Sequence, residues 1–172
     1  MTDETASKFD IDRVEIALAE ECDLPAIRAL YDQSALEGQL RENDTGADIE
    51  NLRDAYFTDE DESGFWVARY DGEVVGMIGV QKTGENAAEI RRLRVHEDYR
   101  RRGIGSRLIE QAVTFCQHQG YLKVVLDVRV EREPAIKLFE KFGFIHARTR
   151  EIDSRKMLDF YFDLYRDPGN NV

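Results

Sequence analysis

The sequence predicts a single mixed α/β domain: a mixed sheet of about seven strands flanked by about four helices. Three observations predict it. Short segments with apolar residues at every second position recur along the 172 residues, segments of helical period stand between some of them, and turn residues punctuate the boundaries. The resulting order is βα(α)βββαβαββ, which is not a simple βαβ array. The length fits one domain of about 100–200 residues, large enough to bury a core without disulfide or metal staples.

Each element has its own signal. Val14, Ile16 and Leu18 alternate with Glu15 and Ala17, which reads as a strand. Asp23 is placed to cap the next helix, with Pro25 in its first turn and Leu24, Ile27, Leu30 and Tyr31 on one face. Residues 38–45 are polar and read as a loop, and 48–57 as a shorter helix. The strands 65–70 and 74–81 flank Asp71-Gly72, a strong hairpin signal. A third strand follows over 88–95, around Ile90, Leu93 and Val95. From Ile104 the period becomes helical, through Leu108, Ala112, Val113 and Cys116, with Gly120 as a stop. Residues 124–130 form the next strand, Pro134 opens another helix, and Gly143 ends it with Phe144 packing back. Two closing strands run through FIHAR and MLDFYFDLY. The latter (157–165) either offers a dimer edge or fills the sheet.

Residues 1–12 read as a flexible acidic tail, 13–166 as the domain and 167–172 as a flexible C-terminus. There is no apolar signal core at the start and no apolar run of the ~20 residues that span a bilayer. Cys22 and Cys116 form no CxxC or zinc spacing, and His96, His118 and His146 are scattered. These features predict a cytoplasmic protein with reduced thiols, no metal site and no membrane partner.

The net charge is −11, from 24 basic and 35 acidic residues, so nonspecific nucleic-acid binding is not expected. Yet seven arginines (91, 92, 94, 100, 101, 102 and 107) stand between positions 91 and 107 against Glu97 and Asp98. A basic island on an acidic chain suggests a local polyanionic ligand; the plainer reading is a solvated, salt-bridged strand and loop.

Arg100-Arg101-Arg102-Gly103-Ile104-Gly105 links a strand to a helix. Its glycines let backbone N–H groups approach a ligand, the helix start adds its positive dipole end, and the arginines add charge-assisted bonds. That is a diphosphate cradle. It is not a Walker A loop, since Gly-Ile-Gly-Ser-Arg replaces Gly-Lys-Ser/Thr. Nor is it a dinucleotide fingerprint, since Leu108 stands at the third glycine.

Here the chain resembles the GNAT superfamily of acetyl-CoA-dependent N-acetyltransferases over about residues 13–165. The likeness is densest in AEIRRLRVHEDYRRRGIGSRLIEQA (88–112) and LDVRVEREPAIKLFEKFGF (126–144), and the opening VEIALAEECDLPAIRAL shares it. It implies a seven-stranded sheet that splays between its fourth and fifth strands, with acetyl-CoA in the gap. Backbone groups at Leu93, Arg94 and Val95 match those that bind the pantetheine arm and thioester carbonyl. Arg100, Arg101, Arg102, Gly103, Ile104, Gly105 and, at its edge, Ser106 match the diphosphate loop. Strand alternation puts Arg92 and Arg94 on one face and Arg91 and Leu93 on the other, so only part of the arginine set would touch one ligand.

The implied reaction is acetyl transfer to an amine by direct attack in a ternary complex. Glu89 matches the central-strand glutamate that acts as base in histone-type members; its other reading is an ordinary strand glutamate. A backbone N–H near Val95 matches the oxyanion donor. Two positions depart from the pattern. Phe139 stands where many members have a tyrosine acid, leaving Tyr99, Tyr121, Tyr161 or water as substitutes. Arg132 stands where many have a coenzyme-contacting asparagine, and it can reach a phosphate or the pantetheine amide. These departures keep open an alternative, an acyl-CoA-binding regulatory module with little or no turnover. A third reading is an arginine-rich surface with no acyl-CoA site. The family builds its acceptor site where this chain has 36–48 and 150–157. The carboxylates Glu37, Glu42, Asp44 and Asp48 either favour a cationic amine or only solvate the surface. A homodimer is possible.

Overall fold

The computed structural model describes residues 8–37, 44–58, 60–152 and 154–165. Its strands are β1 (Val14–Leu18), β2 (Gly64–Tyr70), β3 (Glu73–Gly84), β4 (Ala87–Val95), β5 (Lys123–Arg129), β6 (Ile145–Ile152) and β7 (Arg155–Asp163). The helices are α1 (Leu24–Leu36), α2 (Ala47–Glu50), α3 (Leu52–Tyr56), α4 (Ile104–Gln119) and α5 (Glu133–Lys141). The strands form one sheet in the order β1-β2-β3-β4-β5-β7-β6, with β4 and β5 parallel and the other neighbours antiparallel.

Two cores cover the two faces. On one, α4 lays Ile104, Leu108, Ile109, Ala112 and Cys116 against Ile78, Val80, Ala88, Ile90 and Val124. On the other, Ile27 and Leu30 of α1 and Tyr56 of α3 close over Phe65, Val67 and Met77. Each large side chain so buried contributes about 1.5–3 kcal/mol relative to exposure. Strand alternation is what divides these residues between the two faces.

Most local signals operate as expected. Asp71 and Gly72 take φ of 50° and 82°, the left-handed pair of a tight hairpin. Phe144 N–H bonds Phe139 O at 3.1 Å after Gly143, and the two rings lie 5.5 Å apart.

Three expectations are corrected, and one open alternative is decided. The helix expected over 48–57 breaks at Asn51 (φ −118°, ψ 52°), giving five α-helices among the described residues where about four were expected. Asp23 does not cap α1 with its side chain: its Oδ2 accepts from Glu20 N–H at 2.8 Å and Arg69 Nη2 at 2.6 Å. Of the two readings of 157–165, the strand fills the sheet, because β7 is flanked by β5 and β6. The alternation of the arginines in β4 fails for the reason given below.

Phe9 and Ile11 pack against the larger core. Residues 1–7 and the C-terminus expected at 167–172 lie outside the described residues, as do 38–43 of the expected loop. No described helix is long and apolar enough to cross a membrane.

Candidate active site

The site begins with a defect in β4. Its pairing with β3 moves from Gly79↔Arg91 to Met77↔Arg94, so β4 carries one extra residue, and Arg92 takes a φ of 60°. A bulge bends a strand and increases its twist. On the other side, β4 pairs with β5 only at Ala87↔Lys123, Ala88↔Val124 and Glu89↔Val125. Beyond Glu89 the two parallel strands separate and leave a gap.

The bulge also redistributes the side chains. Leu93 joins the α4 core. Arg91 donates to Gln81 Oε1 at 2.7 Å, Arg92 reaches Asp44 and Asp48, and Arg94 Nε donates to Ser34 Oγ of α1 at 2.5 Å. The expected split, Arg92 and Arg94 against Arg91 and Leu93, therefore fails at Arg91. Arg91, Arg92 and Arg94 all reach partners on the α1–α3 side.

His96 N–H bonds Val75 O of β3 at 2.8 Å. Alternation of an extended strand then turns the Val95 and Leu93 peptide edges toward the gap. Their carbonyls accept cations that reach in: Arg100 Nε to Val95 O at 3.0 Å, and Arg94 Nη1 and Arg132 Nη2 to Leu93 O at 2.7 and 3.3 Å.

Two cavities meet at the gap. The first, about 510 Å³, is lined by Leu93, Val95, Tyr99, Arg100, Arg101, Gly103, Ile104, Gly105, Ser106, Arg132 and α5. It thus gathers nearly all of the predicted coenzyme residues. Gly103 takes a φ of 89° just before α4, and a Cβ on Gly105 would come within 3.0 Å of Leu138. Two predicted arginines behave differently. Arg102 lies over the Phe9 and Tyr99 rings, 5.0 and 6.0 Å from their centres, and Arg94, bonded to Ser34 Oγ and Leu93 O, lines the second cavity instead.

The second cavity, about 430 Å³, is lined from β4 by Glu89, Arg91, Arg92 and Arg94 and from β5 by Asp127 and Arg129. Asp44, Asp48, Arg132, Phe139 and Met157 complete much of its wall. Leu93 and Arg132 line both cavities. Arg92 is nearly inaccessible, its side chain 5% exposed, between Asp44 and Asp48. Tyr56 Oη also donates to Asp48, at 2.6 Å. Burial disfavours charge on Asp48, but the bonds from Arg92 and Tyr56 outweigh it and hold its carboxyl below the usual range. Arg92 is correspondingly raised against its own desolvation. Three of the acids expected either to attract a cationic amine or to solvate the surface pair with arginines: Asp44 and Asp48 hold Arg92, and Glu37 holds Arg100 at 2.8 Å. Glu42 lies outside the described residues.

Glu89 stands at the last β4–β5 pair, at the vertex of the gap, and lines the second cavity. Phe139 is 3% exposed, packs in the larger core and touches the same cavity. Of the tyrosines expected as substitute acids, Tyr99 lines the first cavity. Tyr121 donates to Glu62 O, and Tyr161 carries Lys123 over its ring. Among the described residues, no tyrosine lines the second cavity.

Residues 15–144 match the family model described as Acetyltransferase (GNAT) family. The chain belongs to the GNAT acetyltransferase family. Its relatives include the "Probable N-acetyltransferase camello" of Xenopus tropicalis, 31% identical over 62% of this chain and 49% of that protein. The N-acetylaspartate synthetase of Xenopus tropicalis is 35% identical over 56% of this chain and 36% of that protein. The chain thus spans about half or less of the curated relatives it matches. A GCN5-related N-acetyltransferase from Kribbella flavida has the same fold, with a TM-score of 0.79 at 21% identity over 90% of this chain and all of that one.

Within this GNAT domain, sequence reasoning missed the carboxylate cage around Arg92, the place of Arg94 in the wall of the second cavity, and the presence of Asp127 there. The Val125/Asp127/Arg129 alternation opposite apolar Val124, Leu126 and Val128 was a usable signal for Asp127. The cage had none, because 44 residues separate Asp48 from Arg92.

Proposed function

We propose that this protein transfers an acetyl group from acetyl-CoA to an amine by direct attack in a ternary complex. The observation that carries the reading is the meeting of two cavities at the β4–β5 gap, one with a glycine–arginine cradle at a helix start and the other with a carboxylate at its vertex.

The glycine loop and the start of α4 suit a diphosphate, through close N–H groups, the helix dipole and the Arg100 and Arg101 charges. Leu93 and Val95 offer peptide edges along the gap to the amide-bearing pantetheine arm. Acetyl-CoA supplies the thioester. The Val95 N–H is directed to stabilise charge developing on the thioester oxygen, a role typically worth about 2.7–4 kcal/mol.

An aliphatic amine of pKa about 10.4 is mostly protonated at neutral pH. Glu89 takes its proton, directly or through water, and the freed lone pair forms the C–N bond as the C–S bond breaks. The sulfur leaves as a thiolate. With a thiol pKa near the 8.5 of cysteine, departure without an acid is tolerable. Arg132 bridges the two cavities and would lie beside the departing group.

One feature favours a second reading, an acyl-CoA-binding module with little turnover: a hydrocarbon, Phe139, stands at the expected acid position, and no tyrosine among the described residues lines the second cavity, Tyr99 lining the first. Thiol release from acetyl-CoA with a panel of amines separates the two. Release supports the transferase. A thermal shift with acetyl-CoA but no release with any acceptor supports the module.

A further inference from the structure

The acceptor cavity has five arginines in its wall, Arg91, Arg92, Arg94, Arg129 and Arg132. Three have an acidic neighbour. Arg92 is caged by Asp44 and Asp48, Arg91 lies 4.0 Å from Glu89, and Arg129 lies 3.5 Å from Glu131. Arg94 and Arg132 differ. Their hydrogen bonds go only to neutral oxygens, Ser34 Oγ and Leu93 O for Arg94 and Leu93 O for Arg132, with no carboxylate within 4.0 Å among the described residues. Both converge on one carbonyl.

Two guanidiniums with no carboxylate in direct contact among the described residues, partly withdrawn from water, are costly to hold, and Glu37 and Asp44 offset that cost only from a distance. Burial, followed by the Arg132 charge, pushes Arg94 down to about 9. Burial, followed by the Arg100 charge, pushes Arg132 down to about 10. Both remain cations at neutral pH, so an incoming anion is the natural remedy. A cationic acceptor is poorly served, because Asp44 and Asp48 are committed to Arg92.

We propose that the amine acceptor carries a carboxylate, bound by Arg94 with Arg132 in the cavity that Glu89 closes. The substrate class is then an amino acid, or a compound with an amine and a carboxylate in similar proximity. A planar carboxylate matches the forked donors of arginine, which can bind it with two parallel bonds. This inference rests on the acetyl-transfer reading and deepens it.

The test uses the full chain, acetyl-CoA and a panel of free amino acids, each paired with its carboxamide, alongside simple alkylamines and diamines. Initial rates follow free thiol. Acids should exceed their amides in kcat/KM by about 10- to 150-fold, the value of a hydrogen bond to a charged group. Arg94→Gln should collapse that ratio toward one, a larger effect than any change in KM for acetyl-CoA through the Arg94 bond to Leu93 O, and Arg94→Lys should restore part of it. Circular dichroism checks that the variants fold. If Arg94→Gln does not fold, the acid-to-amide ratio of the wild-type protein decides alone. Amides or diamines that react as well as acids overturn the carboxylate site and leave acetyl transfer standing. An Arg94→Gln variant that keeps the ratio, or that loses acetyl-CoA instead, also overturns it. Release with no acceptor at all overturns both.

Discussion

Arg92 Nη2 and Asp48 Oδ1 lie 2.6 Å apart, joining the bulge of the fourth strand to the helical turn that follows the loop. The pair sits where one face of the gap is made. Among the described residues, Arg92 is the non-glycine residue that takes a left-handed φ inside a strand, which costs of order 1–3 kcal/mol and must be held from outside. The cage of Asp44, Asp48 and, behind them, Tyr56 provides that hold.

Breaking the cage should therefore destabilise the fold. Asp48→Ala leaves a buried cation half-compensated and should cost about 3 kcal/mol, the low end for a broken buried pair because Asp44 remains. Denaturant unfolding at pH 7 measures it. Asp44 and Asp48 both have depressed pKa values, so their contribution is complete above the ordinary carboxylate range and fades as pH falls through their lower folded values. The stability gap between wild type and Asp48→Ala should therefore narrow on acidification below about pH 4. A gap independent of pH would count against the cage.

Glu89→Gln removes the proposed base without changing its size. At neutral pH kcat should fall about 10²- to 10⁴-fold. The loss should shrink toward high pH, where the amine sheds its proton unaided. A pH–rate profile identical to that of the wild type would take Glu89 out of the chemistry and leave Asp127, on the same cavity wall, as the next carboxylate to test.

Gly103→Ala places a Cβ at a φ of 89°, a conformation that costs an L-residue roughly 1–2 kcal/mol. The strain falls on the turn that presents the loop to the diphosphate. Acetyl-CoA affinity should weaken more than overall stability, which calorimetric titration and thermal unfolding distinguish. At 100 times its Kd the coenzyme should add about 2.7 kcal/mol to the wild-type protein. Equal acetyl-CoA affinity in both proteins would place the diphosphate elsewhere.

Phe139 serves the core and the cavity at once. Phe139→Ala should cost about 3–5 kcal/mol from lost packing on Phe144 and its neighbours. Phe139→Tyr keeps the ring and should leave Kd for acetyl-CoA nearly unchanged. A large loss of binding in that variant would show that the position tolerates no polar atom and is packing alone.

The element order, the hairpin at Asp71-Gly72, the α4 stripe and the glycine–arginine loop were readable from the chain, because each depends on residues within a few positions of one another. Asp23 shows where such reading stops. Its position before Pro25 is right for a cap, but Arg69, 46 residues away, takes its carboxylate. The arginines of β4 show it again. Period-two alternation is a local rule, and one bulged residue shifts every side chain beyond it.

By itself the sequence determined the fold and the loop suited to a diphosphate, since periodicity, turn chemistry and glycine placement are written locally. Only the tertiary structure decided which arginines are neutralised and which face an open cavity. Apart from the local contacts of Arg91 with Glu89 and Arg129 with Glu131, the partners there come from segments about 40 or more residues apart, Asp44 and Asp48 to Arg92 and Leu93 O to Arg132. No local pattern records those pairings, because they exist only once β4 and β5 have parted.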